Sequence, residues 1–85
     1  MKYIVTKTEN GVEELFMFPK SINHDCMAEV LGRIKDQSYG QWRRVYREPI
    51  AAGFIRTTYD GLECYGRSET LNLDSRGRLD EMLTD

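Results

Sequence analysis

Glu9-Asn10-Gly11 stands between two runs of largely apolar, alternating residues, 2–8 and 12–18. Asn and Gly populate the left-handed conformations that a tight hairpin turn demands, so this dipeptide between two such runs is the strongest short-range hairpin signal a sequence carries. The chain is thereby directed from its first residues toward an antiparallel ribbon. In the second run Val12, Phe16 and Phe18 share one side, Glu14 interrupts it, and Leu15 and Met17 lie opposite. Apolar groups on both sides predict a central strand.

Pro19-Lys20-Ser21 ends the ribbon and opens a helix expected over residues 22–37. Ser21 or Asn23 is placed to cap it, and Asp25 in the first turn complements the macrodipole. Met27, Val30, Leu31 and Ile34 recur at helical spacing as one apolar stripe, and Gly40 follows the expected end. Beyond it the period returns to two. Trp42–Glu48 alternates, with Trp42, Arg44, Tyr46 and Glu48 on one face and Arg43, Val45 and Arg47 on the other. Pro49 lacks a ladder donor, which calls for an edge, a bulge or a break there. Ile50–Thr58 forms the next strand, and its Ala51-Ala52-Gly53 offers a narrow surface open to close approach. Tyr59-Asp60-Gly61 turns the chain and residues 62–66 return, Leu62 and Cys64 alternating against Glu63 and Tyr65. Asp74 or Ser75 is placed to cap a short terminal helix carrying Leu79, Met82 and Leu83, which Gly77 weakens. The order is ββαβββα: an α+β domain with an antiparallel sheet of about five strands, one packed helix and a short C-terminal helix.

Eighty-five residues bound this to a single domain, 1–85. With 40% hydrophobic and 31% charged residues the composition is that of a soluble globular protein. A net charge of -2 provides no global field to attract nucleic acid. No apolar run approaches membrane length, and a lysine at position 7 interrupts the N-terminal segment, which reads as a strand rather than a signal peptide. The expected location is the cytoplasm. Cys26 and Cys64 belong to no CxxC pair and read as buried free thiols.

His24-Asp25-Cys26 is the one cluster of His, acid and Cys, but helical neighbours one or two apart do not face each other, and a zinc site needs further ligands. Nucleotide and zinc signatures such as GxxxxGK[ST], GxGxxG and HExxH are missing. The expectation is a protein that is not an enzyme and needs no metal or cofactor. What the sequence does concentrate is recognition chemistry. Residues 42–67 hold five of the twelve basic residues, Arg43, Arg44, Arg47, Arg56 and Arg67, but three of the fourteen acids. Trp42, Tyr46, Phe54, Tyr59 and Tyr65 lie among them. Arginine and large aromatics dominate recognition surfaces because a planar fork and a rigid ring give contact area for little lost entropy. The expected partner-binding set is Trp42, Arg43, Arg44, Tyr46, Arg47, Arg56, Tyr65 and Arg67, engaging another protein. Two alternatives stand beside it. Gly66-Arg67-Ser68-Glu69-Thr70 combines backbone N–H groups, hydroxyls and a guanidinium, so Arg67, Ser68 and Thr70 are candidates for holding a nucleotide or other anion. The plain counterpart is a capped loop with Arg67 paired to a neighbouring acid. The basic and aromatic strands would also suit stacked single-stranded nucleic acid, which the overall acidity disfavours. An open sheet edge would allow a homodimer.

Tyr46-Arg47-Glu48-Pro49-Ile50-Ala51-Ala52-Gly53-Phe54 and the stretch from Cys64 to Arg76 resemble small accessory proteins encoded by phages and prophages. The resemblance covers about the C-terminal half and transfers no functional residues. It implies a protein that binds and modulates a host protein or sequesters a host signal.

Overall fold

A computed structural model describes residues 1–35 and 42–84, the side chains of Ile34, Lys35 and Trp42 excepted. The hairpin forms where the Asn-Gly signal puts it. Strands β1 (Lys2–Lys7) and β2 (Glu13–Phe18) run antiparallel, Tyr3 opposite Met17 and Val5 opposite Leu15. Gly11 adopts a φ of 82°, a conformation that favours glycine, and its N–H closes the turn on the Thr8 carbonyl. The chain continues through α1 (His24–Leu31), the short strands β3 (Arg33–Lys35) and β4 (Trp42–Arg44), and the long β5 (Glu48–Thr58). Then come β6 (Gly61–Tyr65), β7 (Arg67–Ser68), β8 (Leu73–Asp74), the one-turn helix α2 (Arg78–Glu81) and a 3-10 turn, Met82–Thr84. The main sheet is antiparallel in the order β2-β1-β5-β6, while β3 with β4 and β7 with β8 make two separate ribbons. The fold class is α+β.

The membership of the elements departs from the sequence expectation in three places. Helix α1 ends at Leu31 rather than near residue 37, and Ile34, assigned to its apolar stripe, lies in β3. Gly32 is the physical reason: it occupies the C-cap, its N–H bonded to the Ala28 carbonyl, and glycine is a poor residue with which to continue a helix. Residues 36–41, with Gly40 and the rest of the expected helix, lie outside the described residues. The strand expected over 42–48 is only three residues long and pairs with β3, outside the main sheet. Finally, β2 is an edge strand, not a central one. Its apolar residues point both ways because the sheet is covered on both faces.

Those two coverings are the core. On one face α1 lays His24, Met27, Ala28 and Leu31, spaced i, i+3, i+4, i+7, against Ile4, Phe18 and Ala52, with Leu71 and Leu73 beside them. Val30, expected in the stripe, is 58% exposed. On the other face Tyr3, Val5, Ala51, Ile55 and Cys64 form the buried layer, and Leu83 from the C-terminal turn packs over it with Leu15, Ile50 and Leu62. Each fully buried side chain of this size contributes about 1.5–3 kcal/mol, so the sheet depends on both coverings.

Two local features fix the centre. The β1–β5 register shifts between Val5 and Thr6, Val5 facing Ala51 and Thr6 facing Pro49, so Ile50 is the extra residue of a bulge. Pro49 is thereby accommodated in one of the ways its missing donor requires. A Cβ on Gly53 would stand 2.4 Å from the Tyr65 carbonyl oxygen and 3.3 Å from the Ser75 Cβ. The narrow surface around Gly53 is therefore filled by the chain's own returning backbone.

Candidate binding surfaces

The fold divides the arginine and aromatic residues into separate groups. Arg43 and Arg44 lie on the β3–β4 ribbon, where Arg44 stands directly opposite Arg33. Glu29, in the last turn of α1, bonds the Arg33 guanidinium and lies 3.4 Å from that of Arg44. One carboxylate thus faces two cations, and Arg43 is exposed beside them. Tyr46 follows at 57% exposure, its hydroxyl 3.3 Å from Glu48. The side chain of Trp42 lies outside the described residues.

Arg47, one position further, serves the fold. Its guanidinium donates to the Leu31 carbonyl at 2.8 Å and sits 5.4 Å above the Phe16 ring centroid. A cation at a helix C-terminus satisfies an orphan carbonyl and complements the dipole. Sequence reasoning assigned Arg47 to the contact surface because it lies in the basic, aromatic stretch, and passed over Gly32 as the signal that ends α1.

Arg56 and Tyr65 form another group at the opposite rim. Arg56 pairs with Glu63 across the β5–β6 ladder and stacks on Tyr65 at 4.8 Å. Tyr65 tilts against Phe54 at 5.9 Å, Phe54 meets the His24 ring edge-on at 6.0 Å, and His24 meets Phe18 edge-on at 5.4 Å. The rings continue from the sheet's rim into its core. Phe16 and Ala52 both lie opposite Ile4, while Arg56 is four residues past Ala52. Strand geometry then separates Arg56 from the Arg47–Phe16 stack by roughly 16 Å.

Arg67 is held by its own loop. It donates to Asn72 Oδ1 at 2.5 Å and lies 3.7 Å from Glu69 and 3.6 Å from Asp74. Ser68 is buried, and its Oγ accepts from the Leu71 N–H at 3.2 Å while lying 3.4 Å from the Thr70 hydroxyl. These are the bonds of a capped loop. Beside it opens a cleft of about 370 Å³ with Phe54 and His24 at its wall and Lys2, Arg67 and Thr70 among its lining residues. The His24 ring donates its Nε2 proton to the Gly53 carbonyl at 2.9 Å, since a carbonyl can only accept.

A buried polar network escaped the sequence entirely. Asp80 is fully buried and accepts from the Tyr3 hydroxyl at 2.5 Å and from Arg76 Nε and N–H at 2.7 and 2.8 Å. Arg76 reaches on to Glu13 at 2.8 Å, and Tyr3 also bonds the Ser75 hydroxyl at 2.6 Å. Acids near a chain end read as a solvated terminus, and only the three-dimensional return of residues 75–80 onto Tyr3 reverses that. Burial, then the Asp80 hydrogen bond, pushes the Tyr3 phenol well above its ordinary range. Burial and the charges of Asp80 and Glu81 push the Cys64 thiol up to about 11. Both groups stay protonated near neutrality, the opposite of an activated nucleophile. Cys26, expected to be buried, is exposed, whereas Cys64 is buried as expected.

Among the described residues no group of three or more His, Cys, Asp or Glu is arranged to hold a metal ion, and no helix is long and apolar enough to cross a membrane. These features define an α+β domain with a cationic ribbon on one flank and a small cleft on another. No protein-family model, curated protein or solved structure matches the chain.

Proposed function

We propose that the chain is a non-catalytic, cytoplasmic binding protein that docks on an acidic surface of a host protein, as a phage-type accessory protein would. One observation carries this reading: Arg33 and Arg44 face each other across a two-stranded ribbon with the single carboxylate of Glu29 between them, and Arg43 is exposed on the same ribbon. Like charges facing each other across strands destabilise a ribbon, so one that keeps them gains when a partner brings counter-charge. The neighbouring Tyr46 supplies a rigid exposed ring for such a contact. The test is capture by the tagged protein from a nuclease-treated bacterial lysate. Wild type retains one protein at stoichiometric yield, and Arg43→Glu/Arg44→Glu loses it with an unchanged melting temperature. Equal retention by that variant would remove the ribbon from the contact.

The cleft beside Phe54 supports a second reading, because Lys2 and Arg67, with Glu69 beside Arg67, line it next to an aromatic wall suited to a ring that bears an anion. A nucleotide that binds there raises the melting temperature of the wild type and not of Arg67→Ala. No rise with any nucleotide tested ends that reading.

A further inference from the structure

The two rims of the main sheet are treated differently. Reciprocal bonds between the amino group and carbonyl of Met1 and the backbone of Ile55 fix the parity of the β1–β5 ladder. With Tyr3 opposite Gly53 and Val5 opposite Ala51, the odd residues of β1 face β5 and the even ones face β2. Lys2, Ile4 and Thr6 therefore bond Phe18, Phe16 and Glu14, and the Thr8 N–H to Val12 carbonyl bond continues the same parity. The backbone groups of Glu13, Leu15 and Met17 point outward from β2. The same counting turns Cys64 and Gly66 outward at the β6 rim. There the Cys64 N–H is taken by the Glu81 carboxylate at 3.1 Å and the Gly66 carbonyl by the Ser75 N–H at 2.9 Å. At Cys64 and Gly66, though among the described residues not at Leu62, the β6 rim is closed by the chain itself. Among the described residues no hydrogen bond reaches the outward groups of Glu13, Leu15 or Met17, and an unguarded rim of this kind is a template for strand addition.

We propose that this rim is a self-association surface, and that two copies of the chain pair β2 with β2 antiparallel about a two-fold axis at Leu15, joining their sheets into one. The register follows by elimination. An axis at Glu13 or Glu14 sets like charges face to face, and an axis at Phe16 or Met17 sets Glu13 or Leu15 against Pro19, which has no N–H to give. An axis at Leu15 pairs Leu15 with its copy and Glu13 with Met17, so every outward N–H and carbonyl of the three residues is used. It also sets Glu14 opposite Phe16 of the other copy, on the face where Arg47 lies over the Phe16 ring. Glu14 is half-buried and has no ion pair among the described residues, while directly opposed cross-strand side chains stand about 5 Å apart at Cβ. Each copy thus offers Arg47 to the other's Glu14, a complementarity that the two-fold axis repeats.

Sedimentation equilibrium over a concentration series is the test. Wild type forms a dimer, and Glu14→Arg and Arg47→Glu each weaken it at least tenfold by placing like charges together. Mixing these two variants restores a dimer, because both contacts are then of opposite sign. Leu15→Pro provides a check that does not need Arg47. Its lost N–H points away from β1, so the ladder to β1 is kept; the lost Leu15 packing lowers the melting temperature, but the folded monomer persists, as its melting curve would show, and the dimer is lost. A wild type monomeric up to about 100 µM overturns the proposal, since a Kd above that is too weak for specific pairing. So does a dimer that Glu14→Arg and Leu15→Pro leave unchanged.

Discussion

Thr6 carries a buried hydroxyl with no hydrogen-bond partner, at the register shift where β1 passes Pro49. An unsatisfied buried hydroxyl opposes folding, and valine has its shape and branching without the polar atom. Thr6→Val should raise the unfolding free energy by about 1 kcal/mol, measured by chemical denaturation. Asp80 presents the reverse situation, a buried charge fully bonded. Asp80→Ala leaves the Tyr3 hydroxyl and the Arg76 guanidinium without their partner, and should cost about 3–5 kcal/mol. Tyr3→Phe removes a single donor and should cost less. The thiol and phenol of this region give the fold a pH signature. Both pKa values rise on folding, so the stability they bring is whole below the unfolded values and lost as pH climbs through the folded ones. For Cys64 that window runs from the ordinary value of 9.0 to about 11, with Tyr3 following at still higher pH. Stability measured from pH 8 to 11 should therefore fall, and Cys64→Ala should flatten the fall.

At the level of elements, Arg47 links α1 to β2, since it caps the helix at Leu31 and covers Phe16. Arg47→Ala should lower stability by about 1–2 kcal/mol, whereas Arg43→Glu/Arg44→Glu should change it by less than about 0.5 kcal/mol. A thermal or denaturant melt of the two variants separates an arginine that holds the fold from arginines that stand clear of it. That distinction was not legible in the sequence, where all three share one basic stretch. The hairpin at Asn10-Gly11 and the alternation of Leu62 and Cys64 against Glu63 and Tyr65 were legible, because turn chemistry and a period of two are local signals. The extent of α1 was misread, because the stripe of Met27, Val30, Leu31 and Ile34 runs on past Gly32 and outweighed that glycine as a stop signal. The edge position of β2 was hidden for a related reason: residues with apolar neighbours on both faces look central whatever lies at their rim. In the last segment Leu79, Met82 and Leu83 read as the apolar residues of the helix; Leu83 packs on the core, but Leu79 and Met82 are exposed and Asp80 lies inside. A single helical turn has too few residues for periodicity to decide which one faces inward.

Considered as a whole, the molecule is closed by its last segment. Residues 75–83 cross one face of the sheet from Glu81 on the Cys64 N–H at β6 to Arg76 on Glu13 at β2, with Leu83 packed on the layer between them. Deletion of residues 76–85 should uncover Tyr3, Val5, Ala51, Ile55 and Cys64 together. Increased binding of a hydrophobic dye and loss of a cooperative melting transition would report it.

The two cysteines turn that closure into a clock. Cys26 stands in the open while Cys64 lies under the closing segment, so a thiol reagent applied to the folded protein should modify the first and spare the second. Added in brief pulses during refolding, it should label Cys64 only until residues 75–83 dock, and the decay of that second label would time that docking. A chain lacking residues 75–83 should label at both positions.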